Sequence, residues 1–430
     1  MIQELKIKNF LSFKDEVTFS FEATKDKTFQ DYQTVEVVKG VRLLRFAVVF
    51  GANASGKTNL LNAFNFLSDF WFNQRSNLND KILSIPFKLD KNTPDSPSIF
   101  SLIFYVNGKK FWYQLEVDEY KVHYEKLSYY TSVQPTMLFE RKLKDNVSHV
   151  TFNQAIVKVS SVVKEEINVK CLTNMSFFAA RNQVNTIIPE VDDAAYWMRN
   201  CFMPVITPTT SLFGYAERNL QDNDALKTHL LEFLSKADFN IIDVISEMTK
   251  GKMPDEYLDF LFPDKEKFSS EFEKAKNEKN FQQIKTDFVH TVTNKRGKEI
   301  YILPKELQSR GTHQIFGLET AIFNALKRES FLSIDEIESS LHPYLVEFIL
   351  KKFLEEKNNK AQLLITTHYD PLLNGINELF RKDSVWFTEK NEAGATELYA
   401  LVEFSGLNRL SSIQKAYKYG NFGAIPRINF

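Results

Sequence analysis

The residues from Gly51 to Thr58 have the types and the spacing of a loop that binds phosphate. The string Gly-Ala-Asn-Ala-Ser-Gly-Lys-Thr follows an apolar run, Phe46–Phe50, and precedes a helical pattern. In that context, G-x-x-x-x-G-K-[ST] surrounds phosphate oxygens with backbone N–H groups. Lys57 can neutralise the β- and γ-phosphates, and the Thr58 hydroxyl can ligate Mg²⁺. The sequence therefore predicts a site for a nucleoside triphosphate and Mg²⁺.

A second group of polar residues follows an apolar run much further along the chain. Phe331–Ile334 is typical of a short buried strand, and Asp335 and Glu336 come directly after it. The carboxyl ends of parallel strands meet at one edge of a sheet, so these carboxylates can lie beside the phosphate loop. Asp335 can hold the metal there, and Glu336 can activate or orient the attacking water.

A histidine follows the next apolar run. Gln362–Thr367 has the pattern of a buried strand, and His368 comes directly after it. A polar side chain just past a strand end can contact a γ-phosphate, although an isolated histidine is more often structural. The position after the Asp-Glu strand favours the functional interpretation. We therefore predict that His368 and Glu336 are the catalytic residues.

The segment before the Asp-Glu strand offers a further site for an anion. Ser309 and Gly311 stand at the start of a helical pattern. The serine hydroxyl, the unpaired backbone N–H groups and the positive end of the helix dipole all suit a negative ligand. On its own this short string is a weak signal. It indicates an anion site only together with the phosphate loop, the Asp-Glu strand and His368 in this order along the chain.

The elements that position these residues change in type along the chain. Residues 2–21 alternate as a hairpin does, and short alternating runs, including 85–89, return from 85 to 160. Asn107-Gly108 separates two of these runs, which predicts a type I′ hairpin turn. Helical spacing dominates from 160 to 285, and strands alternate with helices afterwards, the last helix at 370–380.

These patterns predict an α/β fold in three parts. Residues 1–185 form the N-terminal part, with the phosphate loop and a β meander. Residues 186–285 form a helical insertion, and residues 286–430 complete the sheet. The highly charged segment 264–285 is expected to be a helix with a solvated face.

The composition is that of an ordinary globular chain. Of 430 residues, 43% are hydrophobic and 25% are charged, and a formal net charge of -1 shows no global excess of basic charge that would indicate nucleic acid. Two cysteines exclude a disulfide framework. No apolar run reaches the roughly 18–20 residues of a membrane span. We expect a cytoplasmic location and no membrane partner.

A basic hairpin tip, formed by Lys295, Arg296 and Lys298, is either a solvated turn or a local nucleic-acid contact.

Taken in order, these motifs resemble those of the ATP-binding-cassette class of ATPases, in the branch that includes RecF-like, SMC-like and OLD-type proteins. The string Leu-x-Ile-x-Asn-Phe-x-Ser-Phe at residues 5–13 is similar to the first strand and loop of that branch. The strings Ile-Asp-Glu-Ile-Glu-Ser-Ser-Leu-His-Pro at 334–343 and Tyr-Gly-Asn-Phe-Gly-Ala-Ile-Pro at 419–426 resemble abortive-infection and PARIS-type phage-defence ATPases.

The resemblance implies a fold, cofactors and site residues. The fold would be a P-loop ATPase head, with a mixed sheet and an antiparallel β meander, that carries an inserted α-helical subdomain. The cofactors would be ATP and Mg²⁺, with Thr58 and Asp335 at the metal. The residues implied at the nucleotide are Phe10, Asn53, Ser55, Gly56, Lys57, Thr58, Asn59, Ser309 and Gly311.

The resemblance also implies a shared site. Two ATP molecules would lie between the heads of a homodimer or higher oligomer, and Ser309 and Gly311 would reach the γ-phosphate held by the partner. The loop Ser339–His342 would cross between the two sites. Two features depart from the class. The signature reads Ser-Arg-Gly-Thr-His, and the glutamine that reports the γ-phosphate has no clear equivalent, since Gln114 matches it only weakly. We therefore expect slow turnover.

Three functions remain open at this point. The first is the switch subunit of an antiphage system that acts through an effector protein, a nuclease or toxin, from the same operon. The others are a RecF-like repair ATPase that binds DNA and a nucleotide-gated scaffold that hydrolyses little ATP. About 280 residues separate the phosphate loop from the Asp-Glu pair, which argues against an AAA+ protein. About 60 residues follow His368, too few for a nuclease domain.

Overall fold

The computed structural model describes residues 1–237, 239–251, 258, 269–277 and 281–426. The chain divides into two compact units, one formed by Met1–Thr210 with Asn324–Phe430 and the other by Ser211–Phe323. The described strands are β1 (Ile2–Lys8), β2 (Val17–Ser20), β3 (Thr34–Val38), β4 (Val41–Leu44), β5 (Phe46–Gly51), β6 (Ser98–Val106), β7 (Lys109–Val117), β8 (Val122–Tyr130), β9 (Pro135–Lys144), β10 (Val147–Phe152), β11 (Ile241–Gly251), β12 (Phe281–Asn294), β13 (Gly297–Pro304), β14 (Phe331–Ile334), β15 (Gln362–Thr367), β16 (Val385–Lys390) and β17 (Thr396–Ala400). The described helices are α1 (Gln30–Gln33), α2 (Lys57–Phe72), α3 (Ser161–Lys170), α4 (Phe177–Arg181), α5 (Pro189–Asn200), α6 (Phe213–Leu220), α7 (Asp224–Lys236), α8 (Ser269–Asn277), α9 (Arg310–Lys327), α10 (Pro343–Glu355) and α11 (Ile413–Lys418).

The strand that leads into the phosphate loop lies in the middle of a mixed sheet in the first unit. Among the described strands the order is β14-β15-β5-β16-β17, with the first four parallel and β17 antiparallel to β16. Every residue of β5 is buried, as in a parallel strand covered on both faces. Thr367 pairs with Phe50, and Ile334 pairs with Ile365. The residues that follow β5, β14 and β15 therefore lie at one edge, as the sequence predicts.

The helix that follows the phosphate loop packs against a second sheet. Described strands form it in the order β10-β9-β8-β7-β6-β1-β2, with antiparallel neighbours. The Trp71 and Tyr113 ring centroids lie 5.8 Å apart, and Phe66 stacks on Phe100 at 4.9 Å. Asn107 and Gly108 have φ of 50° and 76°, which fits the predicted type I′ turn. The mixed sheet and the meander confirm the predicted α/β fold class.

A buried ion pair joins the meander to the helices behind it. Glu125 on β8 and Arg141 on β9 have fully buried side chains, and Arg141 Nη1 lies 3.1 Å from Glu125 Oε2. Arg141 Nη2 also donates to the Leu172 carbonyl at 2.8 Å. Glu125 accepts hydrogen bonds from the Ser176 hydroxyl at 2.9 Å and from the Phe177 backbone N–H at 2.8 Å. Because each charge is satisfied only by the complete network, removal of either partner should lower the free energy of unfolding.

We expect Arg141→Met to lower the free energy of unfolding by about 3–5 kcal/mol, because it leaves the Glu125 carboxylate buried without a counter-charge. Urea denaturation followed by tryptophan fluorescence measures the change. The control is the double variant Arg141→Met with Glu125→Leu, which removes both charges and should recover most of the loss. A single variant within about 1 kcal/mol of wild type would contradict this interpretation.

The second unit is only partly helical, which differs from the predicted insertion. It begins at Ser211 rather than at 186 and continues to Phe323, and it contains the antiparallel sheet β11-β12-β13. The Ile-Ile-Asp-Val-Ile segment of β11 is rich in β-branched residues, which favour a strand over the predicted helix. Part of the predicted helix 264–285 is present as α8, and residues 281–285 instead belong to the strand β12. Residues 264–268 and 278–280 lie outside the described residues.

Two smaller elements of the first unit also differ from the prediction. Residues 85–89 form no strand, and the predicted helix 370–380 is a 3₁₀ turn over Asp370–Gly375. The element ends at Gly375, because a glycine in a helix costs more conformational entropy than other residues. Within the described part of the chain, no helix has both the length and the apolar character needed to cross a bilayer.

Candidate functional site

The backbone of the phosphate loop is fixed by close contacts that leave no space for side chains at its two glycines. Gly56 has a φ of 114°, and a Cβ atom there would overlap the Thr396 side chain. A Cβ at Gly51 would come within 2.5 Å of the Ser55 hydroxyl and of the Thr388 carbonyl. Gly56 is therefore required both by conformation and by space, and Gly51 by space.

Hydroxyl groups from neighbouring strands hold this loop in place. The Thr396 hydroxyl donates to the Ser55 carbonyl at 2.8 Å and lies 2.7 Å from the Ser12 hydroxyl. The Asn59 amide donates to the same Ser12 oxygen at 2.7 Å, and Ser55 Oγ lies 2.7 Å from Thr388 Oγ1. Two predicted nucleotide contacts, the side chains of Ser55 and Asn59, thus support the loop here.

Lys57 is a buried cation at the start of α2. Its side-chain Nζ donates to the carbonyls of Gly51 at 2.9 Å and Ala52 at 3.0 Å, and it lies 3.4 Å from His368 Nδ1. Burial lowers the pKa of the Lys57 ammonium to about 8, and the Asp335 and Glu336 carboxylates act in the opposite direction. A negative ligand in the loop would replace weak neutral acceptors by charged ones, which favours the protonated amine.

We expect the affinity for ATP to fall as the pH rises above about 8, because free Lys57 loses its proton there and must regain it on binding. Titration calorimetry at a series of pH values between about 7 and 9.5 measures the slope, which cannot exceed tenfold per pH unit for one proton. Lys57→Arg keeps its charge over this range and should show a flatter profile. Equal slopes in the two proteins would exclude Lys57 as the source.

Asp335 lies next to Thr58, the other residue that the sequence predicts at the metal. The Thr58 hydroxyl donates to Asp335 Oδ2 at 2.9 Å across a separation of 277 residues. The Thr366 hydroxyl donates to the other carboxylate oxygen at 2.5 Å, and the Asp335 side chain is buried. Ligands about 2.1 Å from Mg²⁺ in adjacent octahedral positions are about 3.0 Å apart, so Thr58 and Asp335 fit this ion.

The chemistry of this donor set also suits Mg²⁺. Within the described ranges there is no group of three or more His, Cys, Asp or Glu that could hold a metal by itself. Mg²⁺ commonly uses one or two protein oxygens, with nucleotide phosphates and water completing its shell. Thr58 and Asp335 would hold the ion, which supplies positive charge to the β- and γ-phosphates when it is bound.

Glu336 and His368 face each other beside the loop. Glu336 Oε1 lies 3.3 Å from His368 Nε2, and both side chains are partly exposed. Glu336 has a φ of 47°, in the left-handed region, and its backbone N–H donates to the Thr366 hydroxyl at 2.9 Å. Glu338 accepts from the His368 backbone N–H at 2.6 Å. The structure thus brings together the two residues predicted to be catalytic.

Two residues assigned from the sequence do not face this site. Phe10 is 2% exposed, and its ring packs against Phe66 and Phe100, so its side chain does not face the loop, and its contact with a nucleotide stays a prediction. Gln114 lies in the middle of β7, between the buried residues Tyr113 and Leu115. Since alternate residues face opposite sides of a strand, Gln114 points away from the face that packs on α2.

Ser309 and Gly311 belong to the second unit, at the beginning of α9. Ser309 Oγ accepts from the Thr312 backbone N–H at 3.1 Å, which makes Ser309 the N-cap of the helix. Ser309 is exposed. Their contact with a partner's nucleotide stays a prediction.

The loop Ser339–His342 belongs to the first unit. Ser340 and His342 are exposed, and Ser340 has a φ of 64°. His342 is the N-cap of α10, where its side chain accepts from the Tyr344 backbone N–H at 3.3 Å. The crossing of this loop between two sites also stays a prediction.

A cavity of about 750 Å³ adjoins the phosphate loop. Gly51–Asn53 and His368 line one side, and Ala424–Pro426 from the C-terminal segment line the other. Ala424 has a φ of 57°; its N–H donates to Glu389 at 3.2 Å, and its carbonyl accepts from the Tyr417 hydroxyl at 2.9 Å. Asn53 is exposed here, as expected for a nucleotide contact.

Several functional neighbours were missed by sequence reasoning. Thr366, Glu338 and Thr396 orient the metal-site and loop residues through the hydrogen bonds given above. Glu338 and Thr366 stand within the Asp-Glu-Ile-Glu and Ile-Thr-Thr-His strings, which is a usable signal. No sequence string marks Thr396, because its hydrogen bonds to Ser55 and Ser12 form only when β17 lies next to the phosphate loop.

Comparison with known proteins gives a family match and structural likenesses. The family model described as "AAA domain, putative AbiEii toxin, Type IV TA system" matches residues 46–155 and 222–374, more than half of the chain. A search of curated proteins finds no match. The family description contains the term AAA, so the long separation between the phosphate loop and the Asp-Glu pair does not exclude this family.

Among solved structures, the chain is similar to heads of SMC proteins. "SMC head domain from Thermotoga maritima" is 13% identical, with a TM-score of 0.42 over 93% of this chain and 98% of that one. An SmcHead bound to the C-winged helix domain of ScpA is 13% identical, with a TM-score of 0.46 over 96% and 99%. An Smc head from Pyrococcus furiosus, bound to the C-terminal domain of ScpA, is 13% identical, with a TM-score of 0.40 over 98% of each chain. These scores are too low to support an argument about this chain.

Proposed function

The chain belongs to the family of AAA domains described with a putative AbiEii toxin and a type IV toxin–antitoxin system, and on this premise we propose that it hydrolyses ATP as a dimer of ATP-binding-cassette type. The observation that supports this most strongly is the hydrogen bond from Thr58 to Asp335 across 277 residues. It joins the phosphate loop to an acidic strand end, as a hydrolytic site with a metal requires.

The residues of the site divide the chemistry between them. The N–H groups of the phosphate loop and the Lys57 ammonium bind the phosphate oxygens. Glu336 accepts a proton from the attacking water, since its carboxylate is partly exposed beside the loop. His368, 3.4 Å from Lys57 and 3.3 Å from Glu336, is placed to contact the γ-phosphate and to hold Glu336 in position. Thr58 and Asp335 would hold Mg²⁺, which would supply positive charge to the phosphates when bound.

Release of phosphate from ATP by the purified chain tests this assignment. We expect turnover in the presence of Mg²⁺ and its loss when EDTA is added, with recovery when excess Mg²⁺ is restored. Calcium is the matched control: its longer bonds to oxygen, about 2.3–2.6 Å, suit the 2.9 Å separation of the Thr58 and Asp335 oxygens less well, so it should restore less turnover than Mg²⁺. Turnover that EDTA leaves unchanged would contradict the metal site.

Dimerisation completes the proposed cycle. Ser309 is exposed at a helix N-terminus, a place that favours an anion, and a second copy can supply it to the first copy's γ-phosphate. In this scheme ATP joins the two heads, and hydrolysis releases them, which gives two states that an effector can distinguish.

We further propose that these two states control an effector in antiphage defence. The support is the resemblance of residues 334–343 and 419–426 to abortive-infection and PARIS-type ATPases, together with a family description that contains a toxin. Expression with and without the neighbouring gene, followed by phage challenge, tests the role. Protection should require both genes and should disappear in Lys57→Ala. Sensitivity to DNA damage on deletion, with no effect on phage, would favour a repair ATPase instead.

A further inference from the structure

A groove on the first unit combines acidic and aromatic side chains. It has a volume of about 570 Å³ and runs between α10 and the 3₁₀ turn that follows β15. We call it the acidic groove; its defining residues are Tyr32, Tyr344, Glu347, Glu355, Tyr369 and Glu378. Both walls begin next to the catalytic edge, since α10 follows Ser339–His342 and Tyr369 follows His368.

The charge in the acidic groove is unbalanced. Its three carboxylates are accompanied by one ammonium group, Lys351, which lies 3.9 Å from Glu355 with both side chains more than half exposed. Such an exposed pair neutralises little. Burial and then the Glu347 carboxylate raise the pKa of Tyr369, and burial and then Glu355 raise the pKa of Tyr32. Carboxylates next to aromatic faces are the surroundings that a guanidinium or ammonium group prefers.

The second unit carries a basic element of matching chemistry. The turn between β12 and β13 presents Lys295, Arg296 and Lys298, all exposed. Asn294 fixes this turn by accepting from the Arg296 backbone N–H at 2.8 Å, and Gly297 has a φ of 110° with open space around it. The basic tip is therefore exposed and held in a turn by a local hydrogen bond, which reduces the conformational entropy that it loses when it binds.

We propose that the acidic groove of one copy receives the basic tip of a second copy. The charges are opposite, a groove meets a projecting hairpin, and a two-fold axis makes the contact twice. Docking would fix α10 and Tyr369, the elements next to Ser339–His342 and His368. The inference rests on the proposed dimer but uses a different pair of surfaces from the nucleotide sandwich.

Charge reversal and mixing test the contact without ATP. The groove variant carries Glu347→Lys with Glu378→Lys, and the tip variant carries Lys295→Glu with Arg296→Glu. Sedimentation equilibrium at low salt should show at least about tenfold weaker self-association for each variant alone, one decade per 1.4 kcal/mol. An equimolar mixture should recover wild-type association, because both contacts then join opposite charges again. The control is Glu165→Lys, an exposed reversal outside the groove, which should leave association unchanged.

The outcomes separate this proposal from the proposed function. Variants that associate like wild type, or a mixture that does not recover, would overturn the groove contact. Loss of DNA binding in the tip variant, with association unchanged, would do the same and would make the tip a nucleic-acid contact. The variants' unfolding temperatures and ATP binding show whether they fold. Where the groove contact fails by these criteria, dimerisation of the variants by ATP in a Glu336→Gln background shows that the sandwich still holds. If mixing recovers association but ATP has no effect, the sandwich has failed.

Discussion

The Glu336→Gln variant is expected to turn over ATP about 10²- to 10⁴-fold more slowly than wild type while it still binds ATP. The amide keeps the size and one acceptor oxygen of the carboxylate, but it cannot take a proton from water. Because Asp335 and Lys57 are unchanged, the phosphates and the metal should still be held. Phosphate release measured alongside equilibrium binding of a fluorescent ATP analogue separates the two properties.

A second glutamate provides the control for this experiment. Glu329 is exposed and precedes the same strand, so Glu329→Gln removes a carboxylate from the same region without touching the site. It should leave turnover and binding close to wild type. A Glu336→Gln protein that keeps a turnover within about threefold of wild type would mean that another group is the base.

Lys57→Ala is expected to weaken ATP binding by about 10²- to 10³-fold. Truncation of one partner of a buried charged contact costs about 2–5 kcal/mol, and the phosphates would lose their nearest cation. The loop itself should keep its shape, because the Thr396 and Thr388 contacts do not involve Lys57. Titration calorimetry with ATP at neutral pH measures the loss, and turnover should fall with it.

An exposed lysine gives the matched control. Lys360 lies 3.8 Å from Glu329 with its side chain 59% exposed, so Lys360→Ala removes the same group from a screened position. Its ATP affinity should equal that of wild type. Wild-type ATP affinity in Lys57→Ala would reject the assignment of Gly51–Thr58 as a phosphate loop.

The approach of the candidate site motifs to one another could be predicted from the sequence, because it depends on local patterns and one topological rule. Buried apolar strands at Phe46–Phe50, Phe331–Ile334 and Gln362–Thr367 are followed by the phosphate loop, by Asp335 and by His368. In a parallel sheet these ends meet, so the approach of Asp335 to Thr58 follows without any knowledge of the intervening chain. The helical spacing in the sequence predicts helices at 58–72, 311–329 and 343–356, and the bounds of α2, α9 and α10 agree with these to within about two residues.

Other features depend on packing that the sequence does not encode locally. Phe10 stands in a string that resembles nucleotide-binding loops, yet its ring is more stable among Phe66 and Phe100 than in water. The segment Ile241–Gly251 is compatible with both helical and strand spacing, and its pairing with β12 decides between them. The contact of Thr396 with Ser55 joins residues 341 apart, which no local pattern reports.

The central claim is that a second copy completes the nucleotide site of the first, and solution mass tests it most directly. At raised ionic strength, which screens surface charge contacts, Glu336→Gln should double its mass from 50.0 kDa when ATP and Mg²⁺ are added. Ser309→Asp in the same background should bind ATP and stay a monomer. Aspartate preserves the N-cap of α9, but it places a negative charge against the partner's γ-phosphate. A mass that ATP leaves unchanged, or that doubles equally in Ser309→Asp, would contradict the account.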